Sequence, residues 1–247
     1  MTVPIEMPDL IAGAGETPDQ GGCVMQAAAW LASAGQNWND SPDCVHGTLR
    51  RVAIMVNDNV GTDARRQLWP LVPRMLGTAV DPKTDARTAV QLAVWAAEKV
   101  LPLIRDPEMG EKAAERLGAA RAWLDTGQRP YADAAAYAAG AAAYAADAAA
   151  YAADADAAAA DAYAAAYAAA AADAAAYAAG GAAYAAYAAA YAAGGAAGGR
   201  AWRDSPDERK IAFLTELLDE HDRLTGHVAQ EIESAQWEAL RRALLGV

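Results

Sequence analysis

Histidine and cysteine are scarce in this sequence, three and two in 247 residues. No Cys-x-x-Cys pair is present, which removes the commonest zinc-site pattern. No serine, threonine or cysteine sits in a nucleophile motif such as Gly-x-Ser-x-Gly, so nucleophilic hydrolysis has no recognisable centre. Residues 1–22 lack a basic start and a continuous apolar run, and no segment has the Leu/Ile/Val/Phe density of a membrane span. These absences predict a cytoplasmic protein with reduced cysteines and no membrane partner. Base is scarce too: 20 Lys and Arg stand against 32 Asp and Glu, for a net charge of −12. Binding to nucleic acid by phosphate neutralisation is therefore not expected, and the acidic surface reads as a solubility device.

The sharpest deficit is local. From Tyr131 to Gly199 the chain contains only Ala, Tyr, Asp and Gly. All ten tyrosines lie there, while all seven tryptophans and the one phenylalanine lie outside. What is present is a seven-residue repeat. Tyr137, Tyr144 and Tyr151 stand seven apart, with Gly140, Asp147 and Asp154 three residues after them. After a spacer at 158–162 the register restarts with Tyr163, Tyr177, Tyr184 and Tyr191. Alanine has the highest helix propensity, and seven residues is the period of helices that wind around a neighbour. As one helix, residues 131–179 would be about 70 Å long. The phase break and the glycine pairs at 180–181, 194–195 and 198–199 argue instead for an interrupted arm or hairpin. Alanine buries little apolar area, so such an arm gains from close backbone approach, with tyrosine rings lying across the neighbour.

The rest of the chain reads as helices. Residues 1–20, with Pro4, Pro8, Pro18, Gly13 and Gly15, predict an extended lead-in. A short apolar helix is expected over 23–34. Asp40-Ser41-Pro42 predicts the start of a second helix, reaching Asn59, with Leu49, Val52, Ala53, Val56 and Val60 on its core face. A third should run from Thr62 or Asp63 toward Trp69, ending in a turn-rich stretch at Pro70 and Pro73. Residues 84–105 predict a helix apolar on two sides, through Val90 and Val94 on one and Leu92 and Trp95 on the other. Pro107 opens the next, carrying Leu117, Ala120 and Leu124. After the alanine segment, Pro206 to about Thr225 presents Ile211, Leu214, Leu217 and Leu218. Gly226 interrupts, and Val228 to Leu245 forms the last helix. Strand-like alternation is absent. The expected fold is all-α, a helical core with an alanine-rich arm, organised as 1–20, 21–129, 130–199 and 200–247.

Two side-chain sets could carry chemistry. Cys23, Cys44 and His46 offer three zinc-type donors without a fourth, and buried structural thiols or a disulfide explain them as well. Asp219, Glu220, His221 and Asp222 make an acidic cluster around one imidazole. Acid–base or metal chemistry there needs groups converging from other elements, and none is suggested, so His221 is expected on the helix surface. The sequence thus nominates no catalytic residue, metal ligand or cofactor.

The run Cys23-Val-Met-Gln-Ala-Ala-Ala-Trp-Leu-Ala, with Asp40-Ser-Pro-Asp-Cys-Val-His46, Leu68-Trp-Pro-Leu-Val-Pro-Arg-Met-Leu-Gly-Thr78 and Leu214-Thr-Glu-Leu-Leu-Asp219, resembles a group of alanine-rich proteins of actinobacteria and their phages. The resemblance covers about half the chain, chiefly 21–78, and implies that 131–199 is a variable insertion. It carries no activity with it. The expected function is that of a non-enzymatic structural or protein-interaction protein, pairing with itself or with a helical partner through Tyr137, Tyr144, Tyr151, Tyr163, Tyr177, Tyr184 and Tyr191. Ice binding by the alanine-rich face and a metal-dependent enzyme in the helical core are the alternatives.

Overall fold

A computed structural model describes residues 6–100, 107–127 and 204–247. Among them the chain is helical and without strands, an all-α protein. The heptad segment and its seven interaction tyrosines (Tyr137, Tyr144, Tyr151, Tyr163, Tyr177, Tyr184 and Tyr191) lie outside the described residues. The chain divides into two units, Met1–Val80 with Pro206–Val247, and Asp81–Ser205.

In the first unit the described part of the lead-in, from residue 6, runs without helix until a 3-10 turn at Pro18–Gln20. Polar side chains behind it pin its backbone. Asn57 Nδ2 donates to the Ile11 carbonyl at 2.8 Å, Arg65 Nη1 to Leu10 at 3.1 Å and Trp69 Nε1 to Pro8 at 3.1 Å. Helix α1, Val24–Ala32, is buried on nearly every side. Its run of three alanines lets neighbours approach from several directions. Gln26 caps it by accepting from the Cys23 amide at 3.2 Å.

Helix α2, Gly47–Asn59, begins five residues later than Pro42 suggests. Pro42 instead opens a turn closed by Val45 N–H to its carbonyl at 3.2 Å, and Ser41 N–H goes to Asn39 Oδ1. The cap comes from His46, whose Nδ1 accepts from Thr48 N–H at 3.3 Å. Leu49, Val52, Ala53 and Val56 form the expected buried face. Two cations serve the partially negative end of α2: Arg65 donates to the Asn57 and Val60 carbonyls, and Lys210 to Asn59.

Short segments follow: α3, Thr62–Arg65, a 3-10 stretch at Arg66–Leu71, and α4, Val72–Met75. The prolines here tighten the helical run rather than end it. Pro70 sits inside the 3-10 stretch and Pro73 in the first turn of α4, where a missing N–H costs little. Gly77, at φ +74°, then turns the chain.

From the far end of the sequence come helices here named α7, Asp207–Thr225, and α8, Ser234–Leu245. Helix α7 packs on α2, burying Leu214, Leu217 and Leu218 completely. Each such side chain contributes about 2 kcal/mol of hydrophobic stabilisation. Helix α8 packs on α1 and the Pro18–Gln20 turn, and Trp237 meets Trp69 edge to face at 6.1 Å between ring centroids. It starts six residues after Val228, at a capping box of Glu233 and Gln236. The preceding loop is held elsewhere, with Gln230 N–H donating to the Pro73 carbonyl at 2.9 Å.

In the second unit α5, Pro82–Val100, packs against α6, Pro107–Thr126. Helix α5 starts at Pro82, two residues before the expected Thr84, and Asp81 caps it by accepting from the Lys83 and Thr84 amides. Val90 and Val94 are buried on one side and Ala89, Leu92, Ala93 and Ala96 on others, as two apolar faces require. Leu117 and Ala120 are buried on α6, and Arg121 reaches Glu98 across the pair at 2.5 Å.

Candidate functional site

All three histidines of the chain meet in the first unit. The His46 and His221 ring centroids are 5.6 Å apart, and those of His221 and His227 5.8 Å. Each arrives for a local reason. His46 caps α2. His221 occupies the last turns of α7 four residues after Leu217, so it inherits the buried register of the leucine stripe. His227 follows Gly226, which ends α7 in the left-handed conformation at φ 71° and donates to the Asp222 carbonyl at 2.8 Å. That turn folds the loop back along the helix end.

Asp222 links the cluster. Its Oδ1 is 3.0 Å from His227 Nδ1 and 3.6 Å from His221 Nδ1. Its Oδ2 accepts from Arg74 Nη2 at 2.7 Å, and the same Nη2 donates to Asp219 Oδ1 at 2.8 Å. Burial works against the Arg74 guanidinium, but the two carboxylates outweigh it and hold its pKa above the usual value. His227 Nε2 lies 2.9 Å from the Leu76 carbonyl oxygen. Because that oxygen accepts only, Nε2 carries hydrogen and Nδ1 faces Asp222.

His221 differs from its neighbours. It is 0 % exposed, and neither ring nitrogen has a hydrogen-bond partner. The 3.6 Å to Asp222 is too long for a hydrogen bond. Burial above all, with the field of His46, lowers its pKa to about 4 against the opposing pull of Asp222, so the ring is neutral at pH 7. Thr48 Oγ1, at the start of α2, is also buried without a partner.

Among the described residues, His221, Asp222 and His227 form the one group of three whose ligand-type atoms all lie within 4.8 Å of one another. Two imidazoles and a carboxylate are donor types that divalent transition metals use. The expectation of a surface His221 is thereby corrected: the leucine stripe carries it inward, and convergent groups arrive from the loop (His227) and from α4 (Arg74). The sequence offered a signal, a histidine four residues past Leu217 and another directly after a helix-ending glycine.

The other expected set is not assembled. Cys23, Cys44 and His46 form no such group. Cys23 is the buried N-cap of α1, Cys44 lies half-buried in the turn before α2, and both thiols are free rather than paired in a disulfide. Burial raises the pKa of both, which keeps them protonated. No helix among the described residues is long and apolar enough to cross a membrane. Compared with protein-family models, curated proteins and solved structures, the chain matches none.

Proposed function

We propose that this is a non-enzymatic structural or protein-interaction protein in which a helical platform presents an inserted, alanine-rich segment to a second copy or to a helical partner. The observation that carries the reading is the discontinuity of the first unit. It is built from Met1–Val80 and Pro206–Val247, with α7 packed on α2 and α8 on α1. Residues 81–205 are thus inserted between two halves of one packed body, and the tyrosine heptads fall wholly within the insertion. Tyr137, Tyr144, Tyr151, Tyr163, Tyr177, Tyr184 and Tyr191 are the contact residues in this reading.

Light scattering on the intact chain tests it. We expect a dimer or larger assembly, and a triple substitution of Tyr137, Tyr144 and Tyr151 by Ser should lower the mass or the melting temperature. A 25.5 kDa monomer whose mass and melting are both unchanged by the substitutions overturns the reading.

A further inference from the structure

We propose that His221, Asp222 and His227 bind a divalent transition-metal ion of the zinc class, and that the ion staples the end of α7 to the loop behind it. Three observations converge. The first is the donor set, two imidazoles and one carboxylate, which suits zinc and its neighbours; magnesium and calcium prefer all-oxygen sites. The second is spacing. Metal–ligand bonds of about 2.0–2.1 Å in a tetrahedral site place ligand atoms about 3.3 Å apart. The observed 3.0 Å and 3.6 Å from Asp222 Oδ1 to the two imidazoles bracket that value. The third is the orphaned imidazole. His221 is fully buried, its two nitrogens have no hydrogen-bond partner, and Nδ1 is turned toward the Asp222 oxygen that His227 also faces. A metal bond to Nδ1 gives that nitrogen the partner it lacks, leaving Nε2 as the one unsatisfied atom of the ring.

The surroundings are those of a ligand shell. A metal-binding histidine characteristically donates its other ring N–H to a backbone carbonyl, as His227 Nε2 does to Leu76. The far oxygen of Asp222 is fixed by Arg74, which shares its one positive charge between two carboxylates, Asp222 and Asp219, and so leaves the group net negative. Water completes the coordination. His46 is not counted as a ligand: its Nδ1 is committed to Thr48 N–H.

The inference is independent of the arm, and its test leaves the arm intact. Protein purified without a chelating column, then stripped by dialysis against chelator, is titrated with zinc by calorimetry and with Co(II) by visible absorption. One ion per chain is expected, with intense d–d bands of low coordination number and a rise in melting temperature. His221→Leu and His227→Gln should each weaken zinc binding by about a hundredfold or more, since losing even an outer partner typically costs 10–100-fold. Cys44→Ser should leave binding unchanged. Should a variant fail to fold, 15N shifts of the histidine rings in the wild-type chain decide: zinc must move those of His221 and His227. Absence of zinc binding by the wild-type chain, undiminished binding in a folded His221→Leu, or shifts confined to His46 overturns the proposal.

Discussion

Helix α7 buries a polar side chain near each end, and the two are treated in opposite ways. Lys210, in its first turn, is 2 % exposed, and its ammonium donates to the Asn59 carbonyl at 2.7 Å and meets Asp207 at 3.3 Å. His221, eleven residues and about 16 Å further along the helix, is 0 % exposed and has no hydrogen bond. An ammonium buried without partners costs far more than a neutral ring does, because imidazole can shed its charge near neutral pH and lysine cannot readily do so. The first end therefore closes the fold, tying α7 to the last carbonyls of α2. The second end leaves two ring nitrogens without partners in the interior, which a neutral ring tolerates far better than an ammonium would.

The largest expected effect comes from forcing charge onto the orphaned ring. The pKa of His221 falls from the ordinary 6.5 to about 4 in the folded chain. Between these values the unfolded state binds more protons than the folded one, so stability rises with pH through that window. Folding stability should be intact above pH 6.5, fall as the pH drops toward 4, and lose nothing further from this group below that. The full loss is about 3 kcal/mol at about 1.4 kcal/mol per pKa unit. Urea melts at pH 7, 5 and 4 with chelator present, compared with His221→Leu, isolate this contribution from the carboxylates. Parallel pH profiles in the two proteins would remove the contrast between the ends of α7.

The lysine end gives the next effect. Lys210→Met keeps the aliphatic stem but removes the donor to Asn59 and the charge beside Asp207. A hydrogen bond from a charged donor to a buried carbonyl contributes about 2 kcal/mol, and the end of α2 loses that cation. Destabilisation of this size should appear in urea unfolding, and replacing Lys210 with Arg should restore part of it. A Lys210→Met chain as stable as wild type would show that Arg65 alone suffices at the end of α2.

How much of this was legible before the structure follows from what kind of contact each feature needs. The leucine register of α7 and the valine face of α2 are local periodicities, so the all-α class and the main buried faces could be read directly. Helix starts were less legible because caps compete. Asp40-Ser41-Pro42 has the composition of a cap, but the His46 ring takes the role, and Val228 is drawn off because its loop bonds to α4. The cluster needed partners remote in sequence. Arg74 and Asp222 are separated by 148 residues, and Leu76 and His227 by 151. Composition could show His221 at the edge of a leucine stripe, but not that a glycine turn and a second helix would deliver an imidazole and a guanidinium beside it.

The smallest expected effect has the opposite sign. Without metal, His221→Leu should stabilise the chain at pH 7 by about 1 kcal/mol, because it exchanges an unpaired buried imidazole for an apolar side chain among Leu214, Leu217 and Leu218. The gain is held down by the imperfect fit of a branched side chain to a space shaped for a flat ring. Lys210→Met, also polar to apolar, should move stability the other way, and the pair of signs is the test. Both are measured by urea unfolding in chelator. If His221→Leu instead destabilises by more than about 1 kcal/mol, the ring is packing or bonding in the metal-free fold in a way that an orphan cannot. The two ends of α7 would then be alike, each holding its polar side chain for structure alone.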